Sequence, residues 1–345
     1  PAMFETFLAA LGMPTSVTLP TTAPTIRVAV IDSLPGGGEI GRSAHGFGMF
    51  SLIHDTACAS TGSSCPLDLR AYLALDITAQ GTVDRVHGGQ FGYQSVVARQ
   101  VFEATRDWVA DGSPGHLVLN LSIAWDAAYN IDDEGQLAES AAAVREALSA
   151  ARCVGALAFA AAGNESGGPV AATGAMYPAA WEQIALSCPG AVGEPPVYAV
   201  GGTDAVGGTL PNARVGARSR LVADGYVVPA QGQIGGTTER VGPYTGTSVA
   251  TAAAVAAAAL VWMKNDTYSA SQVASHLHQT GLPTGLVPDV CPALGPCGLV
   301  RRLSFCGATG GQACRALPTA NPAWGPAPYA TLLAQTGQVV PDWSG

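Results

Sequence analysis

The stretch Ile26-Arg-Val-Ala-Val-Ile-Asp32 is the first part of the chain that indicates a fold. It is a short apolar run, rich in β-branched residues and without polar alternation, which is typical of a parallel strand buried on both faces. Similar runs follow at 69–77, 116–123, 155–160 and 196–200, with helical apolar spacing between them, as at 95–109 and 137–151. This alternation predicts an α/β fold, a three-layer sandwich with a mostly parallel central sheet flanked by helices.

The composition agrees with a large buried core and limits the partners. Hydrophobic residues make up 48% of the 345 residues and charged residues 12%, with a formal net charge of -9. Because no basic run is present to neutralise phosphates, we predict no nucleic-acid binding. The longest apolar run, 249–263, is Ala-rich and too short to span a membrane. We therefore predict a buried helix there and no membrane span. We also expect the protein to be a monomer.

Eight cysteines indicate an oxidising compartment. They stand at 58, 65, 153, 188, 291, 297, 306 and 314, and three neighbouring pairs are close in sequence. An even count in local pairs predicts disulfides, although the sequence leaves their connectivity open. Metal binding is the competing interpretation, but no Cys or Cys/His spacing is typical of zinc. The cysteines therefore predict a secreted or periplasmic protein. The first residues show no signal peptide, so we expect that a signal has already been removed.

Three polar residues have surroundings that suit nucleophilic catalysis. Asp32 ends the first strand, where a buried carboxylate needs a partner. His45 precedes Gly46 at a predicted helix start, from which an imidazole can project into a cleft. Ser248, in Gly246-Thr-Ser248, stands at the positive end of an Ala-rich helix. A serine hydroxyl needs a nearby base to act as a nucleophile, and a histidine can be that base.

A fourth residue, Asn164 in the turn Gly163-Asn164, would give its side-chain amide to an oxyanion, with the backbone N–H of Ser248 as second donor. Each segment alone also has a purely structural interpretation, as a loop cap, a turn or a helix N-cap. His54, later on the same helix, is the alternative to His45. All four segments together favour a serine hydrolase with a catalytic triad and an oxyanion hole.

The order Asp, His, Asn, Ser, with these contexts, resembles the subtilase (subtilisin-like serine peptidase) family over about 26–280. The resemblance implies a subtilisin-like fold and peptide hydrolysis, with Asp32, His45 and Ser248 as catalytic residues and Asn164 in the oxyanion hole. Two features depart from the family. The helix after Ser248 lacks the usual Pro-His pair, and the loop from Asp32 to His45 is short.

The resemblance also implies a substrate cleft. Ser122, Ile123, Ala124 and Gly163 would line it, with the substrate backbone added as a β-strand beside 122–124 and Trp125 narrowing one subsite. Because this lining is small and uncharged, we expect a small or apolar residue before the cleaved bond. No cofactor is required.

Calcium is common in the family. Here Asp132-Asp-Glu134 is the candidate site for a structural calcium ion, with a solvated acidic loop as the simpler interpretation.

We divide the chain into an N-terminal extension (1–25), a catalytic domain (26–280) and a Pro-, Gly- and Cys-rich C-terminal extension packed on it (281–345). The expected function is that of a serine endopeptidase acting on polypeptides. Two alternatives stay open, an inactive subtilase-like protein that binds a peptide or partner, and a processing peptidase of narrow specificity.

Overall fold

A computed structural model of the protein describes residues 2–33, 44–62, 65–78, 90–132, 134–165, 173–234, 237–294, 296–311 and 313–316. The helices are α1 (Ala2–Ala10), α2 (Ala44–Ala57), α3 (Gln94–Ala110), α4 (Glu139–Cys153), α5 (Thr247–Lys264), α6 (Ala270–Thr280) and α7 (Phe305–Thr309). The strands are β1 (Ile26–Asp32), β2 (Leu67–Leu73), β3 (Ile77–Thr78), β4 (Gln90–Phe91), β5 (His116–Leu121), β6 (Leu157–Ala161), β7 (Tyr198–Thr203), β8 (Leu221–Asp224), β9 (Val228–Ile234), β10 (Thr237–Tyr244), β11 (Leu282–Pro283) and β12 (Arg301–Arg302).

One mostly parallel sheet organises the fold. Its order is β11-β12-β8-β7-β6-β5-β1-β2. Every neighbouring pair from β12 to β2 is parallel, and the edge strand β11 is antiparallel to β12. The predicted α/β class with a mostly parallel sheet is therefore confirmed. Two antiparallel pairs, β9 with β10 and β3 with β4, lie outside this sheet.

Alternate residues of β1 show how the sheet divides the core. Val28 and Val30 pack in an apolar cluster with residues of α2, α5 and α6. Ala29 and Ile31, on the opposite face, pack in a second cluster with residues of α3 and α4. Helices thus cover both faces of the sheet, which gives the three predicted layers and explains why β1 has no polar alternation.

Helix α5 runs through the first of these clusters. All of its residues except Ser248 and Lys264 are buried. It is the one helix in the described parts of the chain that is long and apolar enough to cross a bilayer. It lies inside the protein as a core helix, as predicted for 249–263.

The segment before β1 is packed into the same core. Leu11 and Met13 are fully buried. The carbonyl of Leu11 accepts a hydrogen bond of 2.9 Å from the N–H of Phe305, and that of Met13 accepts one of 2.8 Å from the N–H of Arg315. Residues 2–16 therefore hold, and are held by, residues 305–311 and 313–315. The predicted boundaries of the three segments stay predictions, and 317–345 lie outside the described residues.

The eight cysteines form four disulfides, Cys58–Cys65, Cys153–Cys188, Cys291–Cys297 and Cys306–Cys314. Three of them are the local pairs that the sequence singled out, so the prediction of disulfides is confirmed. The fourth joins the end of α4 to the loop before β7.

Candidate active site

The sheet brings the predicted site residues to one edge. Asp32 is the last residue of β1, Ser122 follows β5, and Asn164 lies just beyond β6. These three parallel strands are neighbours in the sheet, so their carboxyl ends meet at the same edge, where α/β proteins bind ligands. Ser248, in the first turn of α5, is hydrogen-bonded to Ser122 and so lies at this edge too.

Asp32 and His45 form a pair in which the carboxylate is buried and the imidazole is partly buried. The Nδ1 of His45 is 2.9 Å from Oδ1 of Asp32, which is fully buried. The same oxygen accepts hydrogen bonds from the backbone N–H and the hydroxyl of Ser33, at 2.7 and 3.0 Å. Since a carboxylate can only accept, Nδ1 carries the proton and Nε2 is the basic nitrogen of the neutral ring.

Electrostatics at this pair favour the charged imidazole. Burial works to lower the pKa of His45, but the charge of Asp32 and its hydrogen bond outweigh burial, and the pKa lies above its ordinary value of 6.5. The Tyr244 ring stands edge-on to the imidazole, with centroids 6.1 Å apart. Gly48 makes room for this ring, because a Cβ there would lie 2.9 Å from Tyr244 Cε2.

Ser248 is held against Ser122, the first residue of the segment predicted to bind substrate. Its Oγ donates a hydrogen bond of 3.2 Å to the carbonyl of Ser122, whose own Oγ donates one of 2.9 Å to the carbonyl of Ser248. The buried Asn120 supports this pair, since its Nδ2 donates to the Oγ of Ser122 at 3.1 Å. Within the described residues, Ser248 makes no hydrogen bond to His45.

Asn164 is oriented by Thr247. Its Oδ1 accepts from the backbone N–H of Thr247 at 3.0 Å and from the Thr247 hydroxyl at 3.2 Å. The same hydroxyl accepts from the N–H of Gly163 at 3.2 Å. With Oδ1 used as the acceptor, Nδ2 of Asn164 is the group that can donate to a ligand.

The segment 122–124, predicted to bind substrate, follows β5 and leads into a short bridge. Ile123 is nearly buried and Ala124 is exposed. The next residue, Trp125, exchanges two backbone hydrogen bonds with Tyr177, of 2.8 and 2.9 Å. Gly163 packs on Met176, whose Cγ would lie 2.5 Å from a Cβ at Gly163.

The alternative base is poorly placed for this chemistry. His54 is exposed on α2 and its Nδ1 contacts Asp55 at 3.2 Å. No contact joins it to Asp32 or Ser248 in the described part of the chain. Of the two histidines, His45 is therefore the one that shares the strand edge with Asp32.

The acidic loop shows local hydrogen bonding. The Oδ1 of Asp132 accepts from the backbone N–H groups of Glu134 and Gln136, at 3.0 and 2.8 Å. Asp133 lies outside the described residues. Among those described, no group of three acidic, His or Cys side chains could hold a metal ion.

Three residues of this site were not predicted from the sequence, namely Thr247, Tyr244 and Asn120. Thr247 directly precedes the predicted nucleophile, and this position was the one feature of the sequence that could have indicated its place in the site. The place of Tyr244 depends on the missing side chain of Gly48, on a different element, so no local pattern indicates it. Asn120 was visible as a polar residue inside an apolar strand.

Comparison with known proteins agrees with this architecture. The family model Peptidase S8, the subtilase family, matches residues 57–299. No curated protein sequence matches the chain. Several solved structures have a similar fold. One, on the assembly of the subtilase cytotoxin SubAB, is 18% identical with TM-score 0.54, and the match covers 90% of this chain and 95% of that one.

Two further structures are similar. The MycP1 protease of the ESX-1 type VII secretion system is 18% identical with TM-score 0.54, covering 86% of this chain and 88% of that one. The prenylagaramide maturation protease PagA is 19% identical with TM-score 0.52, covering 83% and 94%. At these identities the likeness shows the fold alone.

The family match includes Asn164 and Ser248, whereas Asp32 and His45 precede it. The assignment of that pair therefore depends on its geometry. Because the match spans most of the chain and the fold agrees with it, the chain belongs to the subtilase family.

Proposed function

We propose that this protein is a serine endopeptidase that cleaves polypeptides through Asp32, His45 and Ser248, with Asn164 in the oxyanion hole. The observation that carries the proposal is the 2.9 Å contact between His45 Nδ1 and the fully buried Asp32. An unpaired buried carboxylate would be costly, and this one instead orients an imidazole at the strand edge where Asn164 and Ser248 meet.

In the first half of the reaction, the hydroxyl of Ser248 turns from the Ser122 carbonyl and attacks the substrate carbonyl carbon. His45 Nε2 takes the proton, and Asp32 stabilises the imidazolium. The oxyanion accepts hydrogen bonds from Asn164 Nδ2 and from the N–H of Ser248, near the positive end of α5. His45 then gives its proton to the leaving amine, and the acyl group stays on Ser248.

In the second half, water attacks the acyl carbon, His45 takes a proton from it and returns it to Ser248, and the carboxylic acid leaves. The four disulfides support action in an oxidising compartment, outside the cell or in a periplasm. No step requires a metal ion. Any calcium would be structural, and the loop at Asp132 stays the candidate site for it.

A proteome-derived peptide library tests the proposal. Wild-type protein should cut it, while Ser248→Ala and His45→Ala should not. The control is His54→Ala, which removes an exposed histidine from the same helix and should cut normally. Cleavage at many sites supports an endopeptidase, and cleavage at one motif a processing peptidase. A folded wild-type protein that cuts nothing would overturn the proposal in favour of a binding protein.

A further inference from the structure

Asn212 connects the two loops that hold the proposed oxyanion donors. Its backbone carbonyl accepts a hydrogen bond of 2.8 Å from the N–H of Glu165, and the next residue, Ala213, forms a β-bridge with Asn164. Its side chain reaches the other loop, where Nδ2 donates to the carbonyl of Thr245 at 3.2 Å. One residue therefore contacts the loop of Asn164 and the segment that leads to Ser248.

The segment around Asn212 is anchored on both sides. Leu210 is 3% exposed and fills the space beside Gly202, where a Cβ would lie 2.3 Å from its Cδ1. Arg214 is 7% exposed, forms an ion pair with Asp126 and donates from Nε to the carbonyl of Gly174 at 2.7 Å. Its buried neighbours thus hold Asn212 in place, so that Asn212 can in turn limit the movement of both loops.

The distance between the two donors has to be held constant by other contacts, because the donors come from different elements. Asn164 follows β6, while the N–H of Ser248 belongs to α5. Oxyanion donors work only when they lie about 2.7–3.1 Å from the developing charge, and a displacement of about 1 Å can cost on the order of 100-fold in rate. A hydrogen bond to Thr245, three residues before Ser248, limits that displacement.

We propose that Asn212 is a positioning residue that sets the separation between the two oxyanion donors. This inference rests on the proposed function. Asn212 acts through Thr245 and Asn164 and takes no part in proton transfer.

The test compares Asn212→Leu with wild type. Leucine has a similar size but cannot donate to Thr245. It also removes Oδ1 of Asn212, which is buried without a hydrogen-bond partner, so stability should change little. We expect kcat for peptide hydrolysis to fall roughly tenfold, less than the hundred- to thousand-fold loss typical of removing a donor itself, a magnitude measured on a subtilisin. KM and the unfolding temperature should change little.

Asn265→Leu is the matched control. Asn265 makes the same type of bond, from Nδ2 to the carbonyl of Val261 at 3.2 Å, at the opposite end of α5. This variant should keep wild-type kcat. An equal loss of kcat in both variants, or a change in KM alone for Asn212→Leu, would overturn the inference.

A double-mutant cycle separates positioning from general destabilisation. In an Asn164→Ala background one donor is already absent, so Asn212→Leu should lower kcat by much less than tenfold. Full additivity of the two effects would contradict the inference, because independent sites add.

Hydrogen exchange gives a readout that needs no activity. Asn212→Leu should speed amide exchange in 245–248, and Asn265→Leu should not. Unchanged exchange in this segment would overturn the positioning role. If wild type hydrolyses no peptide, the proposed function fails, and the exchange result then decides the role of Asn212 separately.

Discussion

Gly246 has a φ of +153°, and a Cβ at this residue would lie 2.7 Å from Nδ2 of Asn164. Both facts require glycine, because other residues rarely adopt this conformation and a methyl group would push the amide away. We expect Gly246→Ala to lower kcat by tenfold or more, on the order of a displaced oxyanion donor. Steady-state kinetics on a peptide substrate measure this.

Gly112→Ala is the control for that prediction. Gly112 also has a positive φ, of +84°, but no atom lies within 4 Å of its would-be Cβ. Its substitution should cost some stability and leave kcat unchanged. Wild-type kcat in Gly246→Ala would mean that Asn164 is not held by this contact.

The raised pKa of His45 predicts the shape of the pH profile. His45 must be neutral to accept a proton, so kcat/KM should rise with pH, with a midpoint above the ordinary value of 6.5. In Asp32→Asn the effect of burial is unopposed, so the midpoint should move to lower pH. The maximal rate should fall by roughly 10⁴, as when other triads lose their aspartate charge. A midpoint that Asp32→Asn leaves in place would contradict the pairing.

At the scale of elements, Asp224 at the end of β8 carries a stability cost. It is only 3% exposed, and this burial is the main reason that its pKa is raised to about 7. The nearby charge of Asp204 also raises the pKa, whereas the hydrogen bond from the Tyr226 N–H and the charge of Arg302 lower it. The folded state therefore binds this proton more tightly than the unfolded state. Below about pH 4 the carboxyl is neutral in both states and the folded protein bears no cost. As the pH rises from there towards 7, the unfolded state loses this proton more readily than the folded state, so the free energy of unfolding falls.

Asp224→Asn removes this dependence and can still accept from the N–H of Tyr226, as Asp224 does at 3.2 Å. We expect the variant to gain more in unfolding temperature at pH 8 than at pH 5, relative to wild type. Thermal melts followed by circular dichroism at both pH values measure the difference. An equal gain at the two pH values would contradict the raised pKa.

The elements that the sequence predicted are those with an apolar run or with apolar residues at helical spacing. The apolar runs correspond to β1, β2, β5, β6 and β7, and the helical spacing at 95–109 to α3, each within a few residues. The pair β9 and β10 was missed because Gln, Thr, Gly and Pro interrupt it, so it lacks strand alternation. The strands β11 and β12 are two residues long and give no periodic signal.

At the scale of the whole molecule, the segment before β1 is part of the core. Leu11 is fully buried and bonded to α7 through its carbonyl. Leu11→Ala should therefore destabilise the protein by about 2–5 kcal/mol, the usual cost of such a cavity. Urea unfolding measures this, with Val154→Ala as the control, since Val154 is 50% exposed. A variant as stable as wild type but more active would instead mark this segment as inhibitory.

The candidate site could be predicted only where a residue has a local context. Asp32 ends a strand, and Ser248 lies in the first turn of a helix, so both were visible in the sequence. Thr247, Tyr244 and Asn212 lie near the site through contacts with distant parts of the chain, namely with Asn164, His45 and Thr245 respectively. Such contacts follow from how strands and loops meet at the sheet edge, which no single segment specifies.

Labelling with a fluorophosphonate probe, read by mass spectrometry of the modified peptide, tests the activated serine most directly. We expect one adduct, on Ser248, in the wild type. It should be absent in Ser248→Ala, nearly absent in His45→Ala, and retained in His54→Ala. A folded wild type that is not labelled, or is labelled on another serine, would contradict the assignment of Ser248 and His45.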